Sequence, residues 1–474
     1  MAAMPIGTML LLFTAAAAFE ARNLSSLTAL SNGNIWWHLR TGIWMVQNHC
    51  LPHSGLFSQS AELPWIASSW GFDLLVASGF RMLGLRSVPF LLIGFKSALA
   101  VATFLLAGGL RGRFWAAALL SAAAQYILGT VQAGPGYCSI VLFAAELLLL
   151  NESRRRGVRF LFWVPPLLLV WANLDIQFVF GMLLLVVFLA ASLLQMRIPP
   201  RTAGIVAMLG GIATLMTPYY YRLYAVFWAG VTSAANRYLP EFRAMGFRQP
   251  QDYVLMLLTM AAFLALGIRR SRDPFQIALM IGCTMLSFHA QRDAWLVALA
   301  AIAVMGEAVG AGAGTSDADN GRLRNRQVMG AMGLSVAVVT LIAVVGTPRS
   351  QDTLLAKVAQ TYPVGACNFI REHDRESPLP RPLFNSYEWG GFLTWYLPEY
   401  PVAIDGRAGL YANDFVVQYF KAMNADVPYQ SYPAMANAGT LLLQRNSLMG
   451  QALSTLPAFR VAYSDNVAVV LTRP

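Results

Sequence analysis

Apolar runs of near-bilayer length recur through the first 346 residues, at roughly 4–20, 85–108, 114–132, 137–151, 160–174, 176–195, 202–217, 253–268, 275–289, 293–310 and 328–346. A membrane span needs about 20 apolar residues, and backbone in lipid must satisfy its hydrogen bonds within the segment. A chain written this way is expected to fold as an α-helical polytopic membrane protein. It has about 11 spans if the shorter runs extend into their flanks. Composition agrees: 57% of residues are hydrophobic, 12% are charged and mean hydropathy is +0.52. Soluble domains are nearer half apolar and a quarter charged. A cytosolic enzyme, a disordered chain and a disulfide scaffold are thereby excluded. The first run, ending in Ala15–Ala18, has the form of a secretory signal. It reads as a retained first helix, with a removed signal as the alternative.

The formal net charge of +11 arises from 34 basic and 23 acidic residues, and only Lys96, Lys357 and Lys421 are lysines. Alone, such an excess suggests nucleic acid. Position argues otherwise. With a cytoplasmic N-terminus, every inside loop carries arginine: Arg111 and Arg113; Arg154, Arg155, Arg156 and Arg159; Arg197 and Arg201; Arg269, Arg270 and Arg272; Arg322, Arg324 and Arg326. Short cytoplasmic loops hold the positive charge of membrane proteins, so these arginines orient the chain and imply no nucleic-acid partner. An odd number of spans places the C-terminus outside. The four cysteines form no close pair. Cys50 and Cys367 both fall outside the membrane, either paired or as free thiols.

Two outer segments exceed a turn. Residues 21–84 are rich in Trp and His, and apolar residues recur at helical spacing in 35–47 and 65–80. Such a pattern suggests amphipathic helices lying on the membrane surface. Residues 218–252 open with Tyr219, Tyr220 and Tyr221, which suit the interface. Residues 311–321 read as a flexible inside loop. The chain therefore divides into a transmembrane domain at 1–346 and a soluble extracytoplasmic α/β domain at 347–474. In the latter, basic and acidic residues balance, β-like runs fall at 402–404 and 467–471, and helical stretches fall at 352–371 and 412–423.

The densest chemistry lies in Asn32-Gly33-Asn34-Ile35-Trp36-Trp37-His38-Leu39-Arg40-Thr41-Gly42, continuing through Phe57-Ser58, Trp65 and Trp70 to Asp73. Aromatic rings stack on sugar faces and Arg pairs with phosphate oxygens, so the cluster suits a sugar or phosphate site. An interfacial Trp belt is the plainer alternative. Acidic residues are costly at membrane depth. Glu146 and Glu307 lie near the inner side. Asp175, in Trp171-Ala172-Asn173-Leu174-Asp175, and Arg292-Asp293 mark outer turns. These turns either ring a cavity or cap helices. The outer domain adds Tyr387-Glu388-Trp389-Gly390-Gly391 and Asp405-Gly406-Arg407. From the residues alone, Asp405 and Arg407 read as a structural pair. No phosphate loop, zinc spacing or nucleophile elbow is present.

Together these segments resemble bacterial membrane proteins related to the GT-C glycosyltransferases, a superfamily that includes protein mannosyltransferases and aminoarabinose transferases. The resemblance runs through Trp36 to Gly42, Phe57-Ser58, Trp70, Trp171 with Asn173, Arg292-Asp293, Tyr387 to Gly391, and Asp405 to Arg407. It implies a multi-pass protein of the bacterial inner membrane with a periplasmic C-terminal domain. It also implies transfer of a sugar from a polyprenyl-phosphate donor to an extracytoplasmic acceptor. A first-loop carboxylate acts as base, and in some members a divalent metal assists.

This sequence departs from that pattern. The first motif of the group reads Asp-x-Asp, where this chain has Asn32 and Asn34; Gly55 replaces a further Asp, and Asp175 stands where a His is expected. An amide can hydrogen-bond but cannot take a proton. Asp73 and Glu62 are the carboxylates left in 21–84. For a transferase, Asp73 is the first choice of base and Asp175 the second. Asn32, Asn34, Trp36, Trp37, His38, Arg40, Trp70, Asn173 and Arg292 would line the cavity. The alternative is a catalytically inactive subunit or scaffold that binds partner proteins through the C-terminal domain. A transporter is a third and weaker reading, because no paired broken helices are evident.

Overall fold

In the computed structural model, residues 13–18, 30, 33–109, 114–129, 131, 133–310, 321–347, 350–407 and 409–473 are described. Asn32, Arg111, Arg113, most of the 4–20 run and the 311–320 loop lie outside the described residues. The principal helices are α1 (Gly33–Asn48), α2 (Trp70–Leu83), α3 (Ser87–Leu106), α4 (Phe114–Leu128), α5 (Gly136–Arg156), α6 (Val164–Leu174), α7 (Phe178–Leu194), α8 (Pro200–Leu215), α9 (Arg222–Val231), α10 (Pro250–Ile268), α11 (Pro274–His289), α12 (Ala294–Gly310), α13 (Gly321–Gly346), α14 (Gln351–Val358), α15 (Val364–Glu376), α16 (Tyr387–Tyr396), α17 (Asn413–Met423) and α18 (Leu448–Ser454).

Several helix ends are written locally. Prolines at the first helical turn open α6, α8, α10 and α11, where a missing N–H costs nothing. Gln249 and Asp252 form a reciprocal capping box on α10, and Asp273 accepts the Phe275 N–H of α11 at 3.1 Å. Gly157, at φ 109°, ends α5 after its three arginines.

Among the described residues, three helical stretches are long and apolar enough to cross a membrane: Trp70–Leu106, Gly136–Arg156 and Pro250–Ile268. Five apolar helices are shorter: Phe114–Leu128, Val158–Leu174, Phe178–Leu194, Pro200–Leu215 and Pro274–His289. A helix of about 15–17 residues reaches about 22–26 Å, less than the ~30 Å hydrocarbon core. Helix length thus supports fewer full spans than the eleven expected from the hydropathy runs. The outward faces remain apolar, with Ile205, Met208 and Ile212 on α8, Leu257, Met260, Leu264 and Ile268 on α10, and Ile277, Ile281 and Met285 on α11 all exposed.

The described residues form two compact units. The first lies within Met1–Ser26, Pro89–Tyr224 and Leu239–Thr347. Its central helix is α12, buried on every side from Trp295 to Val304, as expected of a helix apolar all round. Near the C-terminal end of α5, Arg154 pairs with Asp273 and donates to Glu307 Oε1 at 3.1 Å. Arg197 also reaches Asp273, at 3.8 Å. Two of the arginines read as orienting charges therefore also tie helix ends together. Tyr220 and Tyr221 are exposed as an interfacial role requires, but Tyr219 is buried in the packing.

The second unit lies within Leu27–Val88, Ala225–Tyr238 and Pro348–Pro474. Its sheet has strands β1 (Leu383–Asn385), β2 (Thr440–Gln444), β3 (Arg460–Ser464) and β4 (Ala468–Thr472) in the order β1-β2-β4-β3. β1 and β2 are parallel, and the other pairs are antiparallel. The 467–471 run is β4, but 402–404 forms no strand; Val402 makes a single bridge with Ser58 of the first loop. The helix expected over 352–371 is two, α14 and α15, parted before Pro363, which has no N–H to continue the ladder.

The amphipathic helices expected over 35–47 and 65–80 are α1 and α2. Their apolar faces pack on each other and, for α1, on α16. Protein therefore covers much of the surface that the pattern alone assigned to the membrane. The α1–α16 seam depends on glycine. A Cβ on Gly391 would lie 3.2 Å from Trp37 Cδ1 and closer still to the Gly33 carbonyl oxygen. Gly391→Ala is expected to destabilise this unit by about 1–3 kcal/mol. A lower apparent melting temperature in detergent is the readout.

All four cysteines are free thiols; Cys50 is exposed and Cys367 is buried, so the two do not pair.

Candidate functional site

In the second unit the first-loop residues converge on the seam between α1 and α2. Side chains at i, i+3 and i+4 share a helix face, so His38 and Thr41 of α1 both turn inward. His38 Nδ1 lies 2.5 Å from Asp73 Oδ1, in the first turn of α2. Asp73 is wholly buried, and His38 is 2% exposed. Trp37 stacks on the imidazole at 3.5 Å, and Phe72 meets it edge-on at 5.2 Å. Gly42 lets α1 lie directly on the α2 backbone: a Cβ there would be 2.8 Å from Ala77 Cβ. Asp73 Oδ2 and Thr41 Oγ1 are buried with no partner among the described residues. Unmet hydrogen-bonding capacity of this kind is rare in native interiors, and two such atoms lie at this seam.

The neighbouring residues divide into packing and charge. Trp36 is fully buried against Tyr362, Phe392 and Trp395, so it holds α1 to the C-terminal segment. Trp37 is half-buried, and its indole N–H donates to Asn34 Oδ1 at 3.4 Å. Trp70 is also half-buried, its indole N–H without a partner among the described residues. Arg40 lies over the Phe57 ring at 4.8 Å. Burial pulls its guanidinium below the ordinary value, with Glu399 opposing.

The motifs of the C-terminal segment interlock with this loop. Arg407 Nη2 and Nε both bond Asp405, at 2.8 and 3.0 Å, and its Nη1 donates to the Leu56 carbonyl at 2.5 Å. Its guanidinium faces Trp65 at 5.2 Å. Burial works against the charge, and Asp405 more than offsets it, holding Arg407 above its ordinary value. The two side chains form a fully buried ion pair. Gly390 packs on the Ile404–Asp405 backbone, and Gly406 lies against the Asn34 amide. The Tyr387 N–H donates to Tyr419 Oη at 2.6 Å, and the Trp389 indole donates to the Thr361 carbonyl at 3.1 Å.

The first unit holds the other candidates. Asp175 ends α6, and its Oδ2 accepts from Ser139 Oγ of α5 at 2.5 Å. The Trp171 indole N–H donates to the same Ser139 Oγ at 2.7 Å. Two residues on, Gln177 Nε2 donates to Asp293 Oδ1 at 3.3 Å. The 175–177 and 291–293 turns are therefore joined. Arg292 lies over Phe242 at 4.1 Å, 3.5 Å from Asp293. Burial pushes the nearby Glu241 carboxyl up, and Arg292 opposes it. Asn173 bonds the Leu169 and Met216 carbonyls, a splice between helix ends. Glu307 is an ion-pair partner, whereas both oxygens of buried Glu146 lack a partner among the described residues.

Ser139 and Gln177 escaped sequence reasoning, because a lone Ser or Gln in an apolar run carries no signal of its partner. Ser139→Ala would leave the buried Trp171 indole N–H without its acceptor and take one hydrogen bond from Asp175. It is expected to cost about 1–3 kcal/mol, read as a lower melting temperature. For a divalent metal, the carboxylate and imidazole donors at the α1–α2 seam are Asp73 and His38, already bonded to each other. Among the described residues, no group of three His, Cys, Asp or Glu side chains could hold an ion. The donor set does not fit a metal.

No family model matches the chain, and no curated protein matches it. Solved structures do. The crystal structure of ArnT from Cupriavidus metallidurans bound to undecaprenyl phosphate superposes with a TM-score of 0.51 at 13% identity, covering 98% of this chain and 97% of that one. The apo-state structure of the same protein gives a TM-score of 0.49, also at 13% identity, covering 97% of each chain. The chain therefore has the fold of ArnT along nearly its whole length.

Proposed function

We propose that this protein is a membrane glycosyltransferase that takes its sugar from an undecaprenyl-phosphate-linked donor. The observation that carries the reading is the end-to-end likeness to ArnT, whose structure holds undecaprenyl phosphate. In this proposal the first unit lies in the bacterial inner membrane and the second faces the periplasm. Asp73, paired with His38, supplies the basicity that activates the acceptor hydroxyl. Asp175 is the rival for that role. Arg40 serves the anionic phosphate, and the half-buried Trp37 and Trp70 offer ring faces to the sugar.

The test is turnover. Purified protein in detergent is given a panel of undecaprenyl-phosphate-linked sugars with a native membrane extract as acceptor source. Release of undecaprenyl phosphate supports the reading, and no release from any donor overturns it.

A scaffold reading is favoured by one feature, the amide at Asn34, which already bonds Trp37. Its prediction is opposite. The wild type is inert, and Asn32→Asp with Asn34→Asp restores donor turnover. Absence of gained activity in the double variant would remove that version of the scaffold reading.

A further inference from the structure

We propose that His38 Nε2, not the Asp73 carboxylate, is the atom that takes the proton from the acceptor hydroxyl, with Asp73 as its positioning residue. This rests on the transferase reading above. Asp73 is closed off: it is fully buried, and α1 lies on its backbone at Gly42. Its Oδ1 is committed to His38 Nδ1 at 2.5 Å. A neutral imidazole carries hydrogen on one nitrogen and a lone pair on the other. A carboxylate on Nδ1 keeps the hydrogen there and leaves the lone pair on Nε2.

The rest of the seam fits that assignment. Trp37, stacked at 3.5 Å, and Phe72, edge-on at 5.2 Å, fix the plane of the ring. Nε2 has no partner among the described residues. The other first-loop carboxylate, Glu62, is exposed. Asn34 is an amide and holds Trp37. Among the described residues the seam thus has one ordered base, and it is an imidazole backed by a carboxylate.

The step balances. As the acceptor oxygen bonds sugar C1, its proton passes to Nε2. The bond from C1 to the phosphate oxygen breaks, and its electron pair leaves with the polyprenyl phosphate. The imidazolium is held by the Asp73 carboxylate until the proton passes to water or to the departing phosphate.

His38→Asn tests this. Its amide N–H can still donate to Asp73, but it has no atom in the place of Nε2. The expected result is a fall in kcat of about 10²–10⁴-fold, with KM and melting temperature near wild type. Turnover within threefold of wild type would overturn the proposal while leaving the transferase reading intact. An inert wild type would remove both. Should His38→Asn misfold, His38→Gly is assayed with added imidazole. Restored turnover supports the assignment. Failure of imidazole there, beside rescue of Asp73→Gly by formate, overturns it.

Discussion

Asp73→Asn is expected to lower kcat for donor turnover by about 10²–10⁴-fold, with little change in KM and no loss of folded protein. The amide keeps the size of the carboxylate and can still bond His38. It can no longer hold a hydrogen on Nδ1 or stabilise an imidazolium. Because Asp73 and His38 act through one 2.5 Å contact, their effects should not add. Adding Asp73→Asn to His38→Asn should cost little more than His38→Asn alone. Full turnover of Asp73→Asn would remove Asp73 from the mechanism and move attention to Asp175.

The second large effect concerns folding. Arg407→Ala is expected to destabilise the second unit by about 3–5 kcal/mol, because removing one partner of a buried pair leaves an uncompensated charge. Both side chains of the Asp405–Arg407 pair are fully buried, and Arg407 also joins the C-terminal segment to the Leu56 carbonyl. Most of the variant should be lost from the detergent-soluble fraction on size exclusion. Arg407→Lys should also be impaired, since an ammonium cannot meet a carboxylate and a carbonyl with one planar fork. Replacing both partners with apolar residues of similar volume should recover part of the loss. Wild-type stability of Arg407→Ala would mean that the two segments are held without this pair.

Much of the site was legible because its chemistry is local. Trp37, His38, Arg40 and Asp73 stand out as polar and aromatic groups in the first loop, and helical spacing places His38 and Thr41 on one face. Reading Trp36 as a cavity residue was natural for the same reason. Its position against Tyr362, Phe392 and Trp395 could not be seen, because those rings lie more than 300 residues away in sequence. The same holds for Ser139, whose partners are 32 and 36 residues distant. The helical stretch at 352–371 misled in the opposite direction: its periodicity continues across Pro363, but the backbone cannot.

The sequence by itself determined that the chain is mostly apolar helix and that its polar and aromatic chemistry gathers in the first loop and in a C-terminal segment. Hydropathy, periodicity and residue type are properties of neighbouring positions, so they survive without a fold. Only the tertiary structure decided that the first loop and the C-terminal segment form one unit, with Gly391 and Gly406 as its close contacts. It also decided that Asp73 faces His38 rather than open solvent. Such pairings depend on which side chains interdigitate across long stretches of chain, and packing, not local preference, fixes that choice.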